Sequence, residues 1–577
     1  MNRPYDAGGL DAARVIPVCF AARMPTALVC DPHGGGLLQR LTDDGDPVGP
    51  PQHVENVTGH IRHLESLPNP PRWLLGRIGD IYPALLREQT RLTRAWDATL
   101  TEAILLGVEG HGDRPPHVAA ALARLNDRPE PVFDPITHAA QDTLFDTGER
   151  TDPETELAAL TDVYRHQRRR LRSMQSSLRL LIAAESAGGL IAAEMTHHGL
   201  PWRRDIHDRL LTELLGPRPV KGLRPKKLQQ LADDITEAFG HPVNPDSPRQ
   251  IITELRRFGH AVKSTRAWEL NGIDHPAIAP LLRYKELARI HSAHGWNWLR
   301  DWVGDGPQPG GDRGRFRPEY VVGGVVTGRW ATNGGGALQI PRALRPACHA
   351  DPGHKLVVAD ASQLEPRVLA AMSGDHAMAA AARSDDLYSA LAPTFDGSRS
   401  DAKIALLSAM YGGTAGNAAS LLAVMKRRFP HAWDYVETAA RSGETGGIVR
   451  TWLGRTSPPP SGRWWDRRAS DPRAVRDRGR FTRNFVVQGT AAEWAMTMMG
   501  LLRGSLHTEN LGHLVFFQHD EIVVHGPADH ADRIVHVVAE SAAAATRLMF
   551  GDTDVRIPLI GRVVDHYGQT GEDDAAT

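Results

Sequence analysis

Cysteine is nearly missing from this 577-residue chain: three occur, Cys19, Cys30 and Cys348. They are too few and too scattered for a disulfide framework or a thiolate zinc site, and a reducing cytoplasm fits them. Long hydrophobic runs are missing as well. The most apolar stretch, Leu178 to Met195, is broken by Arg179, Glu185 and Glu194, and the opening Met1-Asn-Arg-Pro-Tyr-Asp lacks the apolar segment of a secretory leader. Neither secretion nor a membrane span is therefore expected. Surplus charge of either sign is absent: 67 Lys plus Arg stand against 68 Asp plus Glu, a formal net charge of −1. A polyanionic partner would have to be met by local basic patches. What is plentiful is glycine (55) and proline (41), which imply many loops in a chain otherwise of ordinary globular make-up, 41% hydrophobic and 23% charged. At about 100–200 residues per domain the length predicts two to four domains.

Residues 1 to 150 read as mixed α/β, with a short apolar run at Ala27–Cys30 stopped by Asp31-Pro-His-Gly-Gly-Gly and a helical period over Trp96 to Leu106. Thr151-Asp-Pro-Glu154 has the form of a capping box and predicts a helix running into Arg168-Arg-Arg-Leu-Arg172, a basic face. From about 175 to 300 the pattern is almost wholly helical. After a Gly/Pro loop at Pro307 to Arg315 come β-type runs at Tyr320 to Val326 and Lys355 to Ala359, then helices, then a β pair at 514–525. Arg450 to Arg483 holds ten arginines against three aspartates with Trp452, Trp464, Trp465 and Phe481 interleaved. Such a segment could follow a phosphate backbone and stack on bases; a solvated surface loop fits the composition equally.

Five constellations carry chemistry. Lys355-Leu-Val-Val-Ala-Asp360-Ala-Ser-Gln363-Leu-Glu365-Pro-Arg367 places Asp360 at the end of a β run, where a carboxylate can face a metal, although an acid at a strand-to-helix junction is commonly a helix N-cap. Leu514 to His525 reads as a hairpin whose tip gathers His519, Asp520 and Glu521. Two carboxylates from separate strands, Asp360 and Asp520, are what a pair of Mg²⁺ ions needs for an in-line phosphoryl displacement; a merely polar hairpin tip is the plainer alternative. Arg399, Lys403, Leu407 and Tyr411 recur every four residues and end at Gly412-Gly413, a stripe that could grip a triphosphate with its cations while Leu407 and Tyr411 meet sugar and base. Arg480, Asn484 and Gln488 repeat that spacing ahead of Gly-Thr-Ala-Ala, suited to hydrogen bonding in a minor groove. Thr327-Gly328-Arg329 is a glycine turn carrying a cation and alone decides nothing.

Taken in order, these five segments resemble the polymerase module of family A DNA polymerases, the bacterial DNA polymerase I type. The family's motif A, Asp-Tyr-Ser-Gln-Ile-Glu-Leu-Arg, stands here as Asp360-Ala-Ser-Gln-Leu-Glu-Pro-Arg367, its motif C as His519-Asp520-Glu521, and its motif B as Arg399, Lys403, Leu407, Tyr411 and Gly412. Its Thr-Gly-Arg and Asn-x3-Gln-Gly-Thr-Ala-Ala segments match Thr327–Arg329 and Asn484–Ala492, and the resemblance spans about 175 to 570. It implies an α+β right hand with an antiparallel palm and helical thumb and fingers, a DNA-directed DNA polymerase that takes dNTPs and primer-template DNA. It also implies two Mg²⁺ ions, with Mn²⁺ as a substitute, held by Asp360 and Asp520 with Glu521 beside them. Arg399 and Lys403 would hold the triphosphate, with Lys403 placed to protonate departing pyrophosphate, and Tyr411 would guard the nascent base pair. Glu365, with Gln363 in the same pocket, would crowd the ribose 2′-OH. Arg329, Thr327, Arg480, Asn484 and Gln488 would touch DNA, and His519 the primer end. A monomer in the cytoplasm, associated with the nucleoid and acting in repair or replication, is expected.

Departures from the family pattern are specific. The motif A tyrosine is Ala361, the motif B phenylalanine is Leu407, and the segment between motifs A and B is short. Gly79-Asp80-Ile-Tyr and Trp96-Asp97-Ala-Thr-Leu-Thr-Glu are similar to the middle of the family's RNase H-like 3′-5′ exonuclease domain, and Asp162 falls near its last acid. No Asp-x-Glu metal pair follows an early strand, since Pro32 and His33 follow Asp31, and Ala158 replaces the tyrosine that orients water. The expected layout is a degenerate exonuclease-like domain over 1–172, thumb and lead-in to the palm over 173–318, palm over 319–385, fingers over 386–482 and palm again over 483–577. The family's amino-terminal 5′ nuclease domain is expected to be absent on length. The rival reading is a catalytically silent protein of polymerase fold that holds primer-template junctions.

Overall fold

The computed structural model describes residues 24–31, 33–132, 152–305, 313–336, 339–412, 418–518 and 520–571. The chain forms two compact units. The first takes Met1–His197, Tyr320–Ala331 and Val357–Val563, and the second His198–Glu319, Thr332–Leu356 and Val564–Thr577. The boundary between the two units falls near residue 198, and the residues from Val564 onward group with the second unit.

The first unit opens with a five-stranded sheet, β1 (Pro25–Cys30), β2 (Gly36–Arg40), β3 (Gln52–Val54), β4 (Arg72–Leu75) and β5 (Ala95–Asp97), in the order β3-β2-β1-β4-β5. β1 runs antiparallel to β2 and parallel to β4, which is parallel to β5. The central strands are buried along most of their length, as unbroken apolar runs such as Ala-Leu-Val and Trp-Leu-Leu require. Helix α1 (Ile78–Arg87) buries Ile78, Tyr82, Leu85 and Leu86, a stripe of three- and four-residue spacing, on one face of this sheet. Each such side chain contributes about 1.5–3 kcal/mol when fully buried. Trp96 lies in β5 and not in a helix; α2 (Ala98–Val108) starts two residues later because Asp97 caps it, its carboxylate accepting the Leu100 N–H at 2.8 Å. Helix α3 (Pro153–Arg172) is likewise capped by Asp152, which accepts from Thr155 N, with Pro153 at the first helical position. The cap is thus the aspartate of Thr151-Asp-Pro-Glu and not the threonine, which lies outside the described residues.

Helix α4 (Leu178–His198) follows, and then the part of the unit that positions the candidate site. β6 (His354–Ala361) leads into α5 (Leu364–Ser373) and the short α6 (Leu387–Leu391), followed by α7 (Arg399–Tyr411), α8 (Pro430–Glu444) and the 37-residue α9 (Pro472–Thr508). β7 (His513–Gln518), β8 (Glu521–Pro527), α10 (Ala531–Phe550) and β9 (Leu559–Val564) complete it, with sheet order β7-β8-β6-β9. α9 passes without a break through residue 482, where the sequence places an edge between fingers and palm. Its middle, Phe485 to Leu502, is buried nearly all round, which explains why Ala, Gly, Thr and Met crowd there in place of an amphipathic pattern. At its far end Arg503 meets Glu194 of α4 at 2.6 Å; Glu194 also takes Arg91 at 2.9 Å and the Tyr82 hydroxyl at 2.5 Å. Burial alone would raise the Glu194 carboxyl, but Arg503 and Arg91 win and hold it well below the usual range.

The second unit surrounds its own core, where Leu228, Ile235, Leu255, Leu281, Tyr284 and Leu287 come from the helices Lys226–Phe239, Pro248–Arg257 and Ile278–His294. It also holds a three-stranded antiparallel sheet in which Arg313–Phe316 lies between Leu200–Arg203 and Val303–Asp305, packed by Trp202, Trp298 and Phe316. The β run read at Tyr320 to Val326 shortens to Glu319–Val321, since Gly323 turns at φ 62°.

Candidate active site

β6 and β8 are neighbours in the sheet, and the Ala361 N–H donates to the Asp520 carbonyl at 3.1 Å. That single backbone bond sets Asp360, the last exposed residue of β6, beside Asp520 in the two-residue turn joining β7 to β8, where Gln518 stands opposite Glu521. Two carboxylates far apart in sequence thus share one end of one sheet. His519 lies outside the described residues. Burial pushes the Asp520 carboxyl up to about 6, Glu365 and Glu521 add to the rise, and its own N–H and Arg329 oppose it. Crowded carboxylates at a half-buried end are a donor set of hard oxygens that suits a divalent cation. Mg²⁺ usually takes only one or two protein carboxylates, together with water and substrate phosphates, so the two aspartates fit it. Among the described residues no cluster of three or more His, Cys, Asp or Glu side chains is placed to hold a metal.

Behind these acids, α5 is preceded by its capping residue Gln363, whose φ of 59° puts it in the left-handed region where few non-glycine residues sit. Its amide is fixed at both ends, accepting the Leu387 N–H at 2.8 Å and donating to Asp386 at 2.8 Å. Asp386 caps α6 and also receives Arg399 Nε at 2.7 Å. Burial works against it, but the Arg399, Ser389 and Gln363 hydrogen bonds hold its carboxyl well below the usual range. Arg399 further lies over the Tyr388 ring at 5.6 Å. In the free chain, then, the first cation of the α7 stripe is engaged by Asp386, while Lys403 is exposed and Leu407 and Tyr411 pack against the core; the helix ends at Gly412, φ 70°.

Glu365 joins three of the five segments. One carboxylate oxygen receives Arg329 and the other the Tyr411 hydroxyl, which Gln488 also meets. Burial, and then Glu365, pushes the Tyr411 phenol up. The expected sugar-crowding carboxylate and the expected DNA-contacting arginine are therefore bonded to each other. Asn484 and Thr327 each keep one buried oxygen, Oδ1 and Oγ1, without a hydrogen-bond partner among the described residues. Arg480 pairs with Asp477 one turn earlier on the exposed part of α9. Gly489 is required by close approach: a Cβ there would stand 2.4 Å from Thr451 Cγ2 and 3.1 Å from the Thr327 carbonyl. This contact seats the Thr327–Arg329 turn against α9.

Three supports escaped the sequence reading. Arg367, fully buried, donates to the carbonyls of Ser362, Ala382, Ser384, Asp385 and Arg556, so the motif A arginine staples loops together. Arg455 pairs with buried Glu185 against the Gly328 turn. Glu493, pushed by burial up to about 7, takes the Thr451 hydroxyl and the Leu453 N–H. The available signal was a lone acid in an apolar run, at Glu185 and at Glu493, since a buried carboxylate must have a partner. The basic segment over 450–483 divides accordingly: Arg455, Arg478 and Arg483 are tied to protein groups, and Trp452 and Trp464 donate to backbone carbonyls. Trp465 remains 45% exposed with Arg468 over its ring.

The DNA polymerase family A model matches residues 223–563. Among curated proteins, DNA polymerase I of Chloroflexus aurantiacus is 26% identical over 427 residues, 64% of this chain and 43% of that protein. The thermostable DNA polymerase I of Thermus filiformis is 26% identical over 396 residues, 59% and 46% respectively. The chain thus spans less than half the length of these relatives. A solved structure, the POL domain of Pol1 from M. smegmatis in complex with DNA primer-template and dNTP, aligns with a TM-score of 0.69 at 18% identity, covering 95% of this chain and 96% of that one. With more than half of its residues under that family model, this chain belongs to DNA polymerase family A.

Proposed function

We propose that the chain is a DNA-directed DNA polymerase that adds dNTPs to a primer 3′ end by two-metal-ion nucleotidyl transfer, as a monomer serving repair or replication near the nucleoid. The observation that carries this reading is the Ala361-to-Asp520 hydrogen bond, which brings the backbone next to Asp360 up to Asp520 and supports a shared cation site. Mg²⁺, when bound there, supplies Lewis-acid stabilisation of the attacking and leaving oxygens. The chain's own residues do the rest. Asp360 and Asp520 hold the cations with Glu521 at their side; Arg399, once it leaves Asp386, and Lys403 bind the triphosphate, and Lys403 gives a proton to the departing pyrophosphate. Arg329, Thr327, Arg480, Asn484, Gln488 and His519 meet the primer-template. Primer extension with Mg²⁺ tests the reading against a silent primer-template binder, which would hold the junction without extending it.

Leu407 replaces an aromatic ring beside the expected sugar position and is only half-buried. Restoring the ring in Leu407→Phe is expected to sharpen selection of dNTP over ddNTP and rNTP by about tenfold. Incorporation ratios equal to those of wild type would refute the assignment of that pocket.

The amino-terminal lobe is proposed to be a scaffold without proofreading. Asp97 spends both oxygens on the Ile78 and Leu100 N–H groups, and Asp31 accepts from the His33 and Gly35 N–H groups in its own turn. Asp80 lies 3.7 Å from Arg77, and Asp162 pairs with Arg165 at 2.8 Å. Pure protein is expected to release no labelled 3′ nucleotide from a primer; release that Asp80→Ala abolishes would show an active exonuclease.

A further inference from the structure

At the opposite end of β4 and β5 from Asp97, a cavity of about 390 Å³ opens between the amino-terminal lobe, α4 and α9, all within the first unit. Its lining includes Arg72, Arg94, Arg168, Arg179 and Arg503, with Asp43 as the single carboxylate among the described lining residues. None of these belongs to the five polymerase segments, and Arg168 comes from the basic run that the expected function leaves unused. Arg503 is committed to Glu194. Arg168 gives its Nε–H to the Asp43 carbonyl at 2.6 Å and lies over the Trp96 ring at 5.8 Å, while Arg179 stands exposed at the mouth. Neither Arg168 nor Arg179 forms an ion pair with a carboxylate among the described residues. At the inner wall Arg94 is 3% exposed.

We propose that this cavity is a binding site for the phosphoryl oxygens of a small ligand such as pyrophosphate or a nucleoside phosphate, held by Arg168 and Arg179 with Arg72 and Arg94 behind them. Guanidinium stays charged at any physiological pH, so a half-enclosed space lined by several of them favours an anion. Burial lowers the Arg72 guanidinium from its ordinary value, with Arg168 adding to the fall and Tyr164 and Asp43 opposing it. The planar fork of donors matches the oxygens of a phosphoryl group in two-point fashion. A cavity of this volume lies at the small end of ligand sites, and the depth of Arg94 favours a free phosphate over one on a duplex backbone.

Calorimetric titration of the full chain with pyrophosphate, at fixed ionic strength, tests this. An Arg399→Ala/Lys403→Ala chain removes the proposed triphosphate grip, so any site that survives in it lies elsewhere. One surviving site is expected, weakened at least tenfold by Arg168→Gln and by Arg179→Gln, and partly restored by Arg168→Lys. Arg179 is exposed and forms no ion pair among the described residues, so its variant reads binding with little effect on stability. A second arm replaces pyrophosphate with a short single-stranded oligonucleotide: competition that depends on Arg179 assigns the phosphate to a DNA backbone, and lack of competition assigns it to a free ligand. Absence of any surviving site, or a site indifferent to both Arg168→Gln and Arg179→Gln, overturns the proposal. Because the readout is binding in a chain without the triphosphate grip, this result is independent of whether the chain proves to be a polymerase.

Discussion

Asp520→Ala is expected to lower Mg²⁺-dependent primer extension by about a thousandfold or more while duplex binding stays within a few fold of wild type. The split matters because the two readings of the chain diverge on it. If Asp520 holds a cation beside the primer end, removing one carboxylate takes away charge stabilisation needed only as the phosphodiester forms. On the same reading, contacts to DNA would come from other residues, Arg329 and the α9 stripe, and would survive. A silent binder would show no extension in either form. The structure also gives the variant a built-in control. The Ala361 bond is to the Asp520 carbonyl, which alanine keeps, so the pairing of β6 with β8 should persist. Extension by Asp520→Ala at wild-type rates would remove the two-metal assignment altogether.

Glu194→Gln is expected to be the most damaging conservative change outside that site, costing about 3–5 kcal/mol of stability. Glu194 is buried and receives Arg503, Arg91 and the Tyr82 hydroxyl, while Arg503 also donates to the Leu92 and Thr93 carbonyls at 2.5 and 2.9 Å. Glutamine is nearly the same size, so the loss is of charge and not of volume: two guanidiniums remain in a low-dielectric interior without their counter-ion. Urea unfolding measures it. The pH dependence follows from the sign of the shift. The folded-state carboxyl is held below the unfolded value of about 4.3, so its contribution is full above that pH and is lost as pH falls below it toward the depressed folded value. Wild type should therefore lose stability in that acid range, and Glu194→Gln should lose correspondingly less there. An unchanged unfolding midpoint would mean that the lobe and α9 are held together by apolar packing alone.

Much of this was open to reading in the sequence, for definable reasons. Spacings of four put Arg399, Lys403, Leu407 and Tyr411 on one helix, because α-helical period is a local property; the apolar runs either side of His519-Asp520 gave the hairpin for the same reason. The approach of Asp360 to Asp520 could not be read from spacing, since 160 residues separate them; motif resemblance supplied it. What stayed hidden is the traffic among charged groups in the free chain. Nothing in the order of residues shows that Arg329 and Tyr411 converge on Glu365, that Asp386 engages Arg399, or that Arg367 serves five carbonyls. Those pairings depend on three-dimensional closure. Trp96 was misplaced because its strand is only three residues long and runs straight into a capped helix, too brief for a period of two to register.

The 37 residues of α9 make a rod about 55 Å long at 1.5 Å per residue. Near one end it carries Arg480, Asn484 and Gln488; near the other, Arg503 is clamped in the amino-terminal lobe. A shaft anchored so far from its working tip acts as a lever, and even a small tilt at the anchor is delivered as a displacement at the residues proposed to feel the template. The lobe proposed as a scaffold would then set the alignment of the site proposed for synthesis.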